Sequence, residues 1–323
     1  MHDLAIITIS TNEANWLRPC LSTIFEKQGD ISLDVVVADN MSTDGTRELV
    51  ETEFPQARVV TCANHGFSHA NNRALMTCDA RWILFINPDT EIVDGTLADL
   101  VHEVDARPDL GLVGVRQILP DGTLHPTARY FPNALRALGE ALGSERWPWR
   151  MRGLGERELD VSLYDREIEC DWTSGSFLLT RREALESAGF LDERYFIYSE
   201  ETDLCLRIKQ AGWRIVHLPS LTIIHHAGKA GVVAKIQAQD VYTRMQYARK
   251  HFSPAHRAAY WLALFLRFGL RAALAPARDP EERRRLRDAY RFVLETLLGR
   301  RGAPYQDPPP AALRTRQASP PSG

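Results

Sequence analysis

Apolar runs and helical spacings alternate along the first hundred residues. Residues 4–9 are apolar except for Thr8, the composition of a strand buried on both faces. Over 15–27, Trp16, Leu17, Leu21, Ile24 and Phe25 recur at helical spacing and make one apolar face. The alternation continues with strands predicted at 33–38, 58–61 and 82–86 and helices at 44–53 and 68–76. Such alternation, with strands that are continuously apolar, predicts an α/β fold: a mostly parallel sheet flanked by helices. Ligands of such sheets sit at the carboxyl ends of the strands.

The pattern then changes. Residues 112–115 predict another strand, but 120–170 read as irregular, with Pro120, Pro126, Pro132 and Pro148. A connection that long inside a domain is usually functional or mobile. Regular spacing returns with a strand at 177–180, short helices, a helix over 201–211 and a strand at 214–217. Beyond about 230 the chain reads as helical and basic. The expected organisation is a domain over 1–230, split into a nucleotide half (1–110) and an acceptor half (111–230). A helical extension follows over 231–301, then a Pro-rich tail over 302–323 that is expected to be disordered.

Composition narrows the function classes. The 323 residues carry a net charge of −3, which offers no electrostatic case for nucleic acid. Five scattered cysteines without C-x-x-C spacing disfavour a disulfide framework or a zinc site and suit a reducing, cytoplasmic compartment. Met1-His2-Asp3 leads directly into a strand, so no signal peptide is expected, and no apolar stretch of about 18 residues is free of charge.

Polar signals cluster at the predicted strand ends: Ser10-Thr11-Asn12-Glu13, then "ADNMSTDGT", then Asn87-Pro88-Asp89. Ser42, Thr43 and Asp44 also fit plain turn and cap chemistry. Asp39 precedes its turn, where a carboxylate accepts from a nucleobase or ribose. No glycine cradle for phosphates follows the first strand, so a diphosphate would need another counter-charge. A divalent cation, Mn²⁺ or Mg²⁺, held by few protein ligands would supply it. Asp89 is the expected anchor, because Pro88 fixes the backbone before it; a simple turn is the alternative. Glu200, Glu201 and Asp203 form a second acidic group at a helix start, where the macrodipole alone favours acids. They follow the aromatic run Tyr195–Tyr198, and a carboxylate beside apolar rings suits a general base. His225 and His226 follow "LTII", and an imidazole paired with Asp89 would suit Mn²⁺.

Together "TISTNEANWLRPCLSTI", "VVVADNMSTDGT", "NHGFSHANNRAL", "LFINPDTEI" and "GSFLLTRREALESAGFLDERYFIYSEETDLCLRIKQAGW" resemble glycosyltransferase family 2, the inverting GT-A enzymes, and its bacterial rhamnosyltransferase-like branch. The resemblance covers residues 4 to about 230. It implies that Ser10, Glu13, Asp39, Asn72 and Asn87 hold the nucleotide sugar and that Asp89 and His225 hold a metal. It also implies that Glu201 is the catalytic base, Glu200 being its rival, and that Trp172, Gly175 and Asp203 face the acceptor. The implied donor is dTDP-rhamnose, with UDP-sugars next, and the implied acceptor is a glycan or lipid-linked glycan of the cell surface.

Two other classes remain open. A sugar-nucleotide nucleotidyltransferase would need a Gly-rich, basic turn where Ser10–Glu13 stands. A domain that binds nucleotide sugar without turnover would not need both Asp89 and Glu201. Over 250–301, aromatic and leucine residues lie among arginines. That pattern fits peripheral contact with the inner face of a membrane, and equally a helix packed on the catalytic domain or in a dimer interface.

Overall fold

The computed structural model describes residues 1–144, 153–226, 234–274 and 279–305. The elements are β1 (His2–Ser10), α1 (Ala14–Glu26), β2 (Leu33–Asp39), α2 (Thr46–Glu53), β3 (Ala57–Thr61), α3 (Phe67–Leu75) and β4 (Ala80–Ile86). Next come β5 (Thr90–Asp94), α4 (Leu97–Asp105), β6 (Leu110–Ile118), α5 (Ala134–Ala141), β7 (Ile168–Glu169), β8 (Phe177–Arg181) and α6 (Arg182–Ala188). The chain ends with α7 (Glu200–Gln210), β9 (Arg214–His225), α8 (Ala234–His251), α9 (Pro254–Leu274) and α10 (Pro280–Leu297).

One mixed sheet runs in the order β3-β2-β1-β4-β8-β6-β9-β5, with β7 beside β9. Its first four strands are parallel, as the apolar runs predict. β8 then runs antiparallel to both β4 and β6. Alternate residues of the strands feed two apolar layers. Leu4, Ile6, Val35, Val37 and Leu84 meet α1 and α4 on one face, while Ala5, Ile7, Val36, Ile83 and Phe85 meet α3 and α7 on the other. Both faces are therefore buried, which is why these strands are apolar throughout.

Four elements go beyond the sequence pattern, and one strand is longer than expected. β5 is only five residues long and two of them are exposed, so it gives little apolar signal. β7 is shorter still. α4 is capped by Thr96, whose side chain accepts from the Asp99 N–H. α5 lies inside the stretch expected to be irregular and is capped in the same way by Asn133. β9 runs through Pro219 to His225 instead of stopping near 217. Its pairing with β6 jumps from Val115↔Leu218 to Arg116↔Thr222, so a bulge absorbs the proline.

α8, α9 and α10 pack with α5 around a third apolar cluster, which includes Ala137, Val241, Tyr260, Leu264, Phe268 and Val293. The inner face of α9 is thus core, as the packed-helix reading of 250–301 expects. Among the described residues no helix is long and apolar enough to cross a membrane. The expected disordered tail lies outside the described residues from 306 onward.

Asp203 ties this bundle to the sheet. It is fully buried and accepts from Arg207 on its own helix and from Lys250 and His251 on α8. Burial alone opposes its ionisation, but the His251 hydrogen bond and the charges of Arg207 and Lys250 outweigh that cost and hold the carboxyl well below the usual range. Removing one member of a buried ionic cluster strands the others. Asp203→Asn should therefore lower the unfolding free energy by about 3 kcal/mol at neutral pH in urea titration. A depressed folded-state pKa stabilises above the unfolded value and is lost as pH falls, so the difference from wild type should shrink below about pH 4.

Candidate active site

The carboxyl ends of β1, β2 and β4 meet at a cavity of about 320 Å³ lined by Thr11, Glu13, Asn40, Asn87 and Asp89. Ser10 and Asp39 stand behind this wall. Ser10 is fully buried and shares a hydrogen bond with Thr46, and Asp39 accepts from the Ser42 N–H. Burial, then the charge of Asp89, raises the pKa of Glu13. Gly66 sits at the cavity edge with a φ of 103°, and a Cβ there would lie 2.4 Å from the Phe196 carbonyl oxygen. Only glycine lets the α3 start approach the 196 segment this closely.

Antiparallel pairing of β5 with β9 sets Thr90 opposite His225. The preceding Asp89 is thereby drawn to the same end: its carbonyl accepts from the His226 N–H, and its carboxylate lies 3.4 Å from His225 Nε2. His225 Nδ1 is buried with no hydrogen-bond partner. A carboxylate and an imidazole with spare coordinating capacity suit Mn²⁺ or Mg²⁺ with oxygen ligands from a diphosphate. Among the described residues no group of three or more His, Cys, Asp or Glu is placed to hold a metal ion. Asp89 and His225 stand as a pair, without a third such side chain beside them among the described residues. His226, the other candidate, bonds Glu91 instead.

A second cavity, of about 230 Å³, opens beside the first and includes Trp172, Ser174, Glu201, Arg129, Asp240 and Arg244 in its lining. One segment walls both: Phe196 and Ile197 face the first cavity, Tyr198 and Ser199 the second. Tyr198 and Ser199 both adopt positive φ, 71° and 69°, just before α7 begins. Neither is a residue that favours this region, so the turn that starts α7 is held under strain by its surroundings. Gly175 lies over Glu201, and a Cβ there would be 3.8 Å from the Glu201 Cβ, Cγ and Cδ atoms. Trp172 is fixed by its Nε1 donating to the Tyr130 carbonyl, and Arg129 stacks on its ring at 4.8 Å.

The geometry separates the two rival acids. Glu201 faces the cavity, whereas Glu200 is buried away from it. Burial, and then the Glu201 charge, raises the Glu200 pKa well above the ordinary value. Burial also raises the Glu201 pKa, but its own backbone N–H at the helix start and the charges of Arg129 and Arg244 work against that rise. The neighbouring cations favour the ionised form at Glu201.

Six expected positions line neither cavity: Ser10, Asp39, Gly175 and His225 stand behind or beside lining residues, and Asp203 and Asn72 point elsewhere. Asp203, expected on the acceptor side, points into its buried ionic cluster, because a residue two beyond Glu201 on a helix lies on the opposite side. Asn72, expected on the donor side, is a structural hook: its Nδ2 donates to the Leu191 carbonyl and to Glu193. Conversely, Arg129, Asp240 and Arg244 line the acceptor cavity without having been singled out. Arg129 lies in the stretch read as irregular, and the other two lie on a helix whose burial pattern gives no sign of a site. His125 also escaped notice; its ring centroid is 5.8 Å from that of His225. Burial and then the neighbouring His225 lower its pKa to about 4, which keeps it neutral.

Comparison with known proteins agrees with this geometry. Residues 5–186 match the family model "Glycosyl transferase family 2". The chain belongs to glycosyltransferase family 2. This family 2 chain is 32% identical over 280 residues to an N-acetylglucosaminyl-diphospho-decaprenol L-rhamnosyltransferase of Mycobacterium tuberculosis, covering 83% of this chain and 89% of that one. It is 24% identical over 230 residues to the rhamnosyltransferase WbbL of Escherichia coli K12, covering 69% and 83%. It is thus a rhamnosyltransferase-like member. A mannosyltransferase of Pyrobaculum calidifontis, solved with GDP-Man and Mn²⁺, shares the fold with a TM-score of 0.55 at 18% identity over 92% of this chain and 86% of that one.

The hook assigned to Asn72 has a direct consequence. Asn72→Ala removes hydrogen bonds to the 191–193 segment and should cost about 2 kcal/mol in denaturant unfolding. Donor affinity, measured by titration calorimetry, should stay within about twofold; a donor-contacting Asn72 would lose more of it.

Proposed function

We propose that this family 2 enzyme is a metal-dependent inverting transferase that moves a sugar, rhamnose by preference, from a nucleoside-diphosphate donor to a hydroxyl of a glycan or lipid-linked glycan acceptor. dTDP-rhamnose is the first choice of donor and UDP-sugars the next. The observation that carries this reading is the shared wall at 196–199. It sets Glu201 in one cavity and Asp89, with His225 3.4 Å behind it, in its neighbour. The relatives' names, which include a lipid-linked GlcNAc acceptor, support the acceptor class.

The donor fills the first cavity with its diphosphate toward Asp89 and His225, which would hold the cation. When bound, that cation neutralises charge developing on the leaving diphosphate. The acceptor hydroxyl enters from the Trp172 side. As its oxygen bonds to C1 of the sugar, its proton passes to Glu201, and the electron pair of the breaking C1–O bond leaves with the diphosphate. Attack opposite the leaving group inverts C1, and no covalent intermediate on the protein is needed. Glu200 lines neither cavity, which leaves Glu201 as the carboxylate of the pair that the acceptor hydroxyl meets. The setting is cytoplasmic, at the inner face of the membrane.

The test is release of dTDP or UDP from candidate donors with Mn²⁺ or Mg²⁺ and an acceptor. Glu201→Gln should lower kcat by about 10²–10⁴ while donor binding survives. Asp89→Asn should instead abolish the metal dependence of donor binding. Release that persists in Glu201→Gln would reject it as the base. Because burial raises the Glu201 pKa and the base must be ionised, kcat should fall on the acid side with an apparent pKa above the ordinary glutamate range.

A further inference from the structure

α9 has an outer face with no polar residue. Its exposed positions are Pro254, Ala255, Ala258, Ala259, Leu262, Leu266, Leu270, Ala273 and Leu274. The four leucines recur every fourth residue, a row about 18 Å long, and are exposed by 51%, 40%, 40% and 72%. The neighbouring α5 repeats the pattern: Leu135 and Leu138 are its exposed residues, and its cap Leu142 is exposed as well. The two helices are joined by a Glu140–Arg267 ion pair and by the Ala134 N–H donating to His256. α10, in the same bundle, does the opposite and exposes Glu281, Glu282, Arg284, Arg285, Arg287 and Asp288. A helix face in water takes charged residues, as α10 does. The α5/α9 face does not.

We infer that the α5/α9 leucine face seats this protein on the surface of a bilayer that contains anionic lipid. Two observations choose that occupant. Every charged residue of α9, Arg257, Arg267 and Arg271, is cationic, and although Glu140 offsets Arg267 the helix keeps a positive charge that complements anionic headgroups. A second copy of the chain would set one cationic helix against another. The same two helices also flank the acceptor cavity: Pro132 of the cavity wall is two residues from α5, and Arg244 of that wall bonds the Tyr260 hydroxyl on the inner side of α9. This second argument rests on the lipid-linked acceptor proposed above, whose sugar head would enter a cavity flanked by these helices. The helix lies on the membrane and does not span it.

The experiment is flotation of the full chain with phosphatidylcholine vesicles and with vesicles containing phosphatidylglycerol, with no donor or acceptor present. It therefore decides the face even if no transfer is ever detected. Wild type should float with the anionic vesicles and less with the neutral ones. The Leu262→Ser/Leu266→Ser/Leu270→Ser variant should partition at least about tenfold more weakly, with an unchanged thermal melt and unchanged turnover on a water-soluble acceptor. Ala259→Trp, which adds an aromatic ring to the same face, should partition several-fold more strongly. Wild type that floats with neither vesicle would overturn the inference, as would a triple variant that floats like wild type. A wild-type dimer in sedimentation that the triple variant dissolves would also overturn it, because the face would then be a homotypic interface.

Discussion

A buried carboxylate, Asp203, fixes where the catalytic helix sits. It draws together Arg207 of α7 and Lys250 and His251 of α8, and the Tyr195 hydroxyl donates to it from the segment ahead of α7. Asp192 adds a second carboxylate to Lys250. Ions removed from water repay that cost only when their geometry is nearly complete, so such a cluster admits few alternative arrangements. Two residues before Asp203, Glu201 projects from the opposite side of α7. α8, held by the same cluster, contributes Asp240, Arg244 and Tyr247 to the cavity that Glu201 faces. The walls that α7 and α8 give this second cavity are therefore set by charges that do not line it.

The sheet imposes the second constraint. The parallel half brings Thr11, Asn40 and Asp89 to one edge, as doubly wound sheets do. The antiparallel β8 then starts at that same edge, where the Asn87 N–H donates to the Ser176 carbonyl. The loop before β8, with Trp172 and Gly175, is consequently delivered to the end of β4. β9 arrives there too, and its pairing with β5 sets His225 beside Asp89 across 136 residues of sequence. Thr11, Asp89, His225 and the 172–176 loop converge because the sheet changes direction at the strand that ends in Asn87-Pro88-Asp89.

Much of this was legible in the sequence because it depends on local pattern. The strands of the first half are apolar on both faces, so composition alone marks them. Asp89 and Glu201 stand out as acids that follow apolar or aromatic runs. What could not be read depends on distant partners. Asp203 looks like Glu201 in sequence, and only Lys250 and His251 reveal that it points the other way. Asn72 looked like a donor contact because its hook, the 191–193 segment, lies more than a hundred residues away. β9 seemed to end at Pro219 because a bulge cannot be foreseen without its partner strand. The aromatic and leucine residues after 250 fit both packing and membrane contact, and α9 buries one set while exposing another.

The family model ends at residue 186, before Glu201, His225 and all of α8. The part it covers holds the donor cavity's strand ends and Asp89. The walls that set the size and polarity of the acceptor cavity come largely from beyond it: Asp240 and Arg244 from α8, with Tyr198 and Ser199 from the turn before α7. A change in α8 would reshape the second cavity without moving the strand ends that line the first. The M. tuberculosis relative aligns over 83% of this chain, further than the family model reaches. A likeness over 280 residues takes in the cavity walls beyond residue 186 as well as the strand ends.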